Sequence, residues 1–232
     1  MKVRPFLRKY LRSYPEWGFH PPRAQSRPLT RIGSDYGGYF LDTAIVPDDP
    51  VIYSLGIGLD VSFDLALILR YGCAVHAFDP TPRVREWLEG QSLSPQFRFH
   101  PVGIADFDGD ADFFLPPQPD FISHSMVRAP QYSDRSIKVP VITLTTAMTR
   151  LGHSHIDVLK MDIEGGEYSV LADLADKQVP VGQMCVEFHH RGDALGVQKT
   201  RETLSLLANL GFEVVHVCPR FEVFSLVKSG VA

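Results

Sequence analysis

Three carboxylates, Asp162, Glu164 and Glu167, fall within six residues in IDVLKMDIEGGEYSVL, directly after an apolar, β-branched run. That run reads as a strand, and in open α/β sheets the C-terminal edge of a strand faces the ligand crevice. Carboxylates crowded there repel one another, and burying them without partners is costly, so the cluster points to a functional use. The competing structural reading is that Glu164 and Glu167 favour a helix N-terminus through its dipole and that Lys160 pairs with one of them. A second run, VEFHH, puts Glu187 and His189 on the same face of an extended segment, two residues apart. Asp162, Glu164, Glu187 and His189 are therefore the catalytic candidates, able to take a proton from a nucleophile, with Glu164 or His189 the favoured base. Asp162, Glu187 and His189 could also converge on magnesium or manganese. They lack the spacing of a recognised metal motif, so a divalent metal is possible but not favoured and no metal ligand is assigned.

A different chemistry resides in SLGIGLD, where Gly56 and Gly58 lie between a strand and a helix. A glycine pair in that context lets the backbone turn tightly and lets a ligand approach closer than a Cβ would permit. Asp79 ends the next strand, in HAFDP, where a carboxylate can accept hydrogen bonds from both hydroxyls of a ribose. The pair points to a nucleoside cofactor. A dinucleotide fingerprint wants a third small residue three places after Gly58, but Val61 stands there, and Asp60 would repel a diphosphate. S-adenosylmethionine has no phosphate and carries a sulfonium and an ammonium that carboxylates tolerate. It is favoured over NAD, with an ordinary glycine loop and strand-end aspartate as the structural alternative.

These residues need a scaffold. From Val51 onward, short apolar runs (VIYSL, AVHAFD, FRFHPVG, DVLKMD, QMCVEF) alternate with helical stretches near VSFDLALILRYG, PRVREWLEG, EYSVLADLA and KTRETLSLLANLG. Such alternation implies parallel strands joined by crossover helices. In the tail EVVHVCPRFEVFSLV the linker CPRF is too short for a crossover, so two antiparallel strands are expected to close one sheet edge. The chain has 232 residues, 44% hydrophobic and 22% charged, enough for a sizeable core and unlike a disordered polymer. Its net charge of −4 argues against general affinity for nucleic acid. No run is long and apolar enough for a transmembrane segment, and Cys73, Cys185 and Cys218 sit in apolar contexts as buried thiols would, so a cytoplasmic protein is expected.

Other segments carry weaker signals. Residues 1–32 read as a basic N-terminal extension, with Arg4, Arg8, Lys9 and Arg12 on a short amphipathic helix, followed by a proline-rich linker; no function is assigned to them. Gly37 and Gly38 in DYGGYFL suggest a tight turn between extended segments. DFDGDAD fails as a calcium loop, because Ala111 and Pro117 stand where an EF-hand needs glycine and glutamate, and Asp108-Gly109 reads as a hairpin turn. His153 and His155 read as a solvated loop. HSMVRAPQYSDR reads as a flap over an acceptor, with Ser123 and Ser125 able to hydrogen-bond it, or as a plain surface loop.

SLGIGLDVSFD, HAFDPTP, VGIAD, VPVITL before IDVLKMDIEGGE, and VEFHH together resemble the FkbM family of methyltransferases, in the family's order and over roughly residues 33–227. The resemblance implies a domain at 33–232 with the class I methyltransferase (Rossmann-like) fold: α/β, with a mostly parallel seven-stranded sheet whose last strand is antiparallel. It implies S-adenosylmethionine-dependent transfer, most often to a hydroxyl of a carbohydrate or secondary metabolite. Gly56 and Gly58 would then pass the methionine portion, Asp60 approach its ammonium, Asp79 hold the ribose, Ile104 and Ala105 line the adenine, and Asp162 lie near the transferred methyl. Ser54 departs from the acidic residue many members have at the end of the first strand, and Leu59-Asp60 from the commoner small or amide residues. An N-methyltransferase, a nicotinamide-dependent oxidoreductase and a non-catalytic binding module remain as alternatives.

Overall fold

Ile52–Leu55 is apolar on both faces apart from Ser54, and Ile156–Met161 is nearly so, which suits strands covered from both sides. In the computed structural model, which describes residues 22–115, 125–126, 135–190 and 196–230, these two runs are neighbours at the centre of a seven-stranded sheet. In chain order the elements are β1 (Thr30–Ile32), β2 (Tyr39–Leu41), β3 (Ile52–Leu55), α1 (Ser62–Tyr71), β4 (Val75–Phe78), α2 (Pro82–Glu89), β5 (Phe97–His100), β6 (Gly103–Ile104), β7 (Gly109–Phe114) and β8 (Ser136–Ile142). They continue as α3 (Leu144–Leu151), β9 (Ile156–Met161), α4 (Glu167–Asp176), β10 (Val181–Glu187), α5 (Gly196–Asn209), β11 (Phe212–Val217) and β12 (Val223–Lys228).

The main sheet runs β11-β12-β10-β9-β3-β4-β5. From β5 to β10 every pairing is parallel, while β12 is antiparallel to both β10 and β11. This is the class I methyltransferase arrangement, and the C-terminal hairpin closes one edge as its short linker requires. Of the two hairpin strands, β12 is the more continuously buried and takes the inner place; β11 is half-exposed and lies outermost. The chain winds from β3 outward to β5, then returns to lay β9 on the other side of β3. That reversal makes the C-terminal ends of β3 and β9 the switch point where an open sheet leaves a crevice.

The two faces of the sheet bury separate cores. Tyr53, Leu55, Leu159 and Met161 pack with α3, α4 and α5, while Ile52, Val75, Ala77 and Val158 pack with α1, α2 and the β1–β2 hairpin. The hairpin is locked down by Gln183, whose amide donates to Asp42 O at 3.2 Å and accepts from Asp42 N at 3.2 Å. Gln25 N donates to Val214 O at 2.8 Å, so residues read as linker dock on the domain. The basic segment 1–17 and Ser123 lie outside the described residues. No helix among the described residues is long and apolar enough to cross a membrane.

Two elements differ from expectation. Helix α3 sits in threonine-rich TLTTAMTRL, a sequence of modest helix propensity, and is secured by its cap: Thr143 Oγ1 accepts from Thr146 N at 3.1 Å. Asp108 accepts from Thr143 N at 2.7 Å and from Thr146 Oγ1, and Asp108-Gly109 is not a hairpin turn because the strands on either side of it do not pair with each other. Strands β6 and β7 are separated by β8, which pairs with both in a three-stranded sheet.

His153 likewise leaves the solvated loop expected of it and joins a cluster away from the crevice. Its Nδ1 lies 3.0 Å from Tyr53 Oη, its ring packs edge-on to His76, and His76 Nδ1 lies 3.1 Å from His100 Nε2. Burial, then the neighbouring imidazoles, pushes His76 down to about 4, and burial lowers His100 and His153. Below the ordinary histidine value of about 6.5 the unfolded chain binds protons that this folded cluster refuses, so stability falls as pH falls from there towards about 4. We expect the melting temperature of His76→Phe to depend less steeply on pH than wild type over that window, read by circular dichroism. Parallel slopes would overturn the assignment.

Candidate functional site

A cavity of about 920 Å³ opens at the switch point between β3 and β9. On its β3–β4 side the glycine loop leaves β3 with Gly56 at φ 70° and Gly58 at φ 54°, both left-handed. A Cβ on Gly56 would sit 1.8 Å from Asp162 O, so only glycine lets β3 and β9 end this close together. Asp79 is buried beneath the loop and organises it. Its Oδ2 accepts from Ile57 N at 3.1 Å and Gly58 N at 3.2 Å, and its Oδ1 accepts from Thr81 N at 2.9 Å. Asp60 closes the loop by accepting from Ser34 Oγ and Ser62 N, both at 2.8 Å. Burial works to raise Asp60, but the hydrogen bonds from Ser62 and Ser34 outweigh it and hold the carboxyl low.

The β9–β10 side gathers the other candidates. Asp162 follows β9, Glu164 occupies a left-handed turn at φ 51°, and His189 follows β10. His189 Nε2 lies 3.3 Å from Glu164 Oε2 and 3.8 Å from Asp162 Oδ1. On its other side, His189 Nδ1 lies 2.8 Å from Glu167 Oε1, which also accepts from Ile163 N and Gly165 N. Burial alone would lower the imidazole, but the charges of Glu167, Glu164 and Asp162 outweigh it and hold it well above its usual range. Glu187 shares the wall, and burial together with the Asp162 charge pushes it up to about 7 despite His189.

Gly56, Gly58, Asp60, Asp79, Ile104, Asp162, Glu164, Glu187 and His189 all line this cavity. Ala105 does not. It follows β6, is enclosed with Ala111, Phe113, Val139 and Val141, and donates its N–H to Ile142 O, which packs it against the three-stranded sheet. Ser125 is buried and donates to Glu164 O, so it braces the acidic turn and is not exposed to a ligand. The convergent trio is Asp162, Glu164 and His189, with Glu164 in place of the Glu187 considered from sequence, because its left-handed backbone turns the side chain back toward His189.

Two polar residues of the wall were not among the predicted site residues, although Lys160 was read as a pairing partner for the acidic cluster. Lys160 is almost fully buried and donates to Leu55 O and Gly56 O, 3.9 Å from Asp162 Oδ2. Tyr39 donates to Asp162 Oδ2 at 3.5 Å, and burial, then the charges of Asp162 and Glu187, keeps its phenol protonated. A lysine two residues before Asp162, in the run that leads to the acidic cluster, was a usable signal for the first; nothing local marks Tyr39, which arrives from another sheet.

Residues 53–214 match a family model described as the methyltransferase FkbM domain. The chain belongs to the FkbM family. It is 31% identical over 140 residues to proteins named probable methyltransferase-like protein 24 from Homo sapiens and Rattus norvegicus. Those matches cover 60% of this chain and 32% of each relative, so the chain spans about a third of the length of the curated relatives it matches. A crystal structure of methyltransferase FkbM from Methylobacillus flagellatus aligns with a TM-score of 0.49 at 16% identity, covering 84% of this chain and 48% of that one. Within this FkbM domain, the matched segment contains the glycine loop, Asp79, the acidic turn and VEFHH.

Proposed function

We propose that this FkbM domain transfers a methyl group from S-adenosylmethionine to a hydroxyl oxygen of a carbohydrate or secondary metabolite. The observation that carries the reading is one cavity divided between two chemistries: the glycine loop with Asp79 on one side, and Asp162, Glu164, Glu187 and His189 on the other. The first half suits a nucleoside, since Asp79 Oδ1 keeps acceptor capacity beyond its Thr81 bond and the left-handed glycines bring backbone to the wall. Asp60 and Asp162 suit a sulfonium and an ammonium and disfavour a diphosphate. The cavity volume lies in the range that encloses a ligand of this size.

S-adenosylmethionine supplies an activated methyl: the acceptor oxygen bonds to its carbon as the carbon–sulfur bond breaks and leaves the pair on sulfur. The protein's part is to hold the two reactants in line and to take the hydroxyl proton. Both nitrogens of His189 face carboxylates, so we assign His189 to holding the acidic turn and Glu187, on the same wall, to receiving the proton.

Cell extract incubated with the protein and a deuterium-labelled methyl donor should yield a labelled product in untargeted mass spectrometry, and its fragmentation identifies oxygen or nitrogen as the acceptor atom. Glu187→Gln should reduce label incorporation by about 100-fold or more, the usual weight of a positioned base. Its affinity for S-adenosylhomocysteine should stay within a few-fold of wild type. Undiminished incorporation would exclude Glu187 as the base, and tight NAD binding without binding of either methyl-donor species would reject the reading itself.

A further inference from the structure

We infer that Asp162, Glu164 and His189 form a binding site for one divalent cation of the magnesium or manganese class. One ligand atom from each lies within 4.8 Å of the others. An octahedral ion with ligands at about 2.1 Å needs neighbouring ligand atoms about 3 Å apart. His189 Nε2 is already 3.3 Å from Glu164 Oε2 and 3.8 Å from Asp162 Oδ1, so the imidazole closes on either carboxylate by less than about 1 Å and the rest of the closure is between the two carboxylates.

The surroundings favour an ion independently of that convergence. Glu167 is fully buried and its Oε1 contacts His189 at 2.8 Å, yet its Oε2 has no hydrogen-bond partner among the described residues. A buried carboxylate with an unused oxygen is costly unless positive charge stands nearby, and on binding the ion replaces the Nε2 proton of His189 as that charge. The same contact presents Nε2 to the trio, the carboxylate–histidine arrangement that orients a metal-binding imidazole. Two carboxylates and one imidazole form a hard-to-borderline set, and three protein ligands leave positions open to the cavity. An acceptor hydroxyl in one of those positions would be polarised beside the place where the reading above puts the methyl donor. The inference extends that reading, but binding of the ion is measurable without it.

After chelator treatment, titration with manganese(II) alone, followed by the electron paramagnetic resonance of the free ion, should show one saturable site per chain. Glu164→Gln, nearly isosteric, and His189→Ala should each weaken it at least tenfold, with folding verified by circular dichroism. Asp173→Asn, which removes a surface ion pair with Lys177, should bind as wild type does. Folded wild-type protein that takes up no manganese at millimolar concentration, or uptake indifferent to both site variants, would overturn the inference. S-adenosylhomocysteine binding on the same samples separates the two ideas: nucleoside binding without manganese removes the cation site alone, and manganese binding without nucleoside removes the methyltransferase reading alone.

Discussion

Asp79→Asn should weaken binding of S-adenosylhomocysteine by about 100-fold and lower the melting temperature in the same protein. Asp79 accepts on both oxygens, from Ile57 N and Gly58 N on one and from Thr81 N on the other. Asparagine offers one oxygen and one NH₂, so in either orientation a donor faces a donor beneath the loop. A buried polar group left unsatisfied costs about 1–3 kcal/mol, and a charge-assisted bond to the ribose is worth about the same again. The lost ribose bond gives the predicted affinity loss, since each 1.4 kcal/mol is about tenfold, whereas the unsatisfied loop group is present with or without ligand and acts on stability. The structural share alone should lower melting by roughly 3–10 °C, at about 2–4 °C per kcal/mol for a domain of this size. Calorimetry at a temperature where the variant is folded checks the first number and thermal circular dichroism the second. Unchanged nucleoside affinity would remove Asp79 from the binding site.

Gly56→Ala should be the most damaging single-methyl substitution in the domain. Two effects add: alanine at φ 70° costs about 1–2 kcal/mol, and its Cβ would overlap Asp162 O at 1.8 Å, forcing the ends of β3 and β9 apart. With overpacking at about 1–3 kcal/mol, the sum is a large part of the 5–15 kcal/mol that holds a typical domain together. Gly72→Ala separates the two effects, because Gly72 is also left-handed, at φ 66°, but has nothing among the described residues within 4 Å of its added Cβ. Melting of Gly56→Ala should fall roughly 5–10 °C below that of Gly72→Ala, and label transfer should be lost because Asp162 is displaced. Equal melting temperatures would show that the close approach of the two strands is unimportant.

Much of this architecture was readable from local pattern. The apolar runs that became β3, β4, β9 and β10 are short and bounded by turn residues, and the four-residue CPRF linker permits no crossover, so the antiparallel hairpin was forced. Helix α3 was not readable, because its threonines become helical only when Asp108, thirty-five residues earlier, ties down the cap at Thr143. Alternation correctly put Glu187 and His189 on one wall, yet could not tell that Ala105 faces away from Ile104's cavity, since β6 is only two residues long.

The amino-acid sequence alone determined the α/β fold class and which carboxylates lie at strand ends, because these follow from periodicity and from residues close together in the chain, and it suggested the family through the resemblance of its motifs. Only the tertiary structure decided that His189 lies among Asp162, Glu164 and Glu167, that Tyr39 and Lys160 complete the wall, and that Ser125 braces the acidic turn. These contacts join residues up to 123 positions apart, as Tyr39 and Asp162 are. They depend on the parallel register of β9 with β10 and on a left-handed turn at Glu164. No short-range pattern encodes such distances, because side chains meet across a sheet only after distant strands have paired.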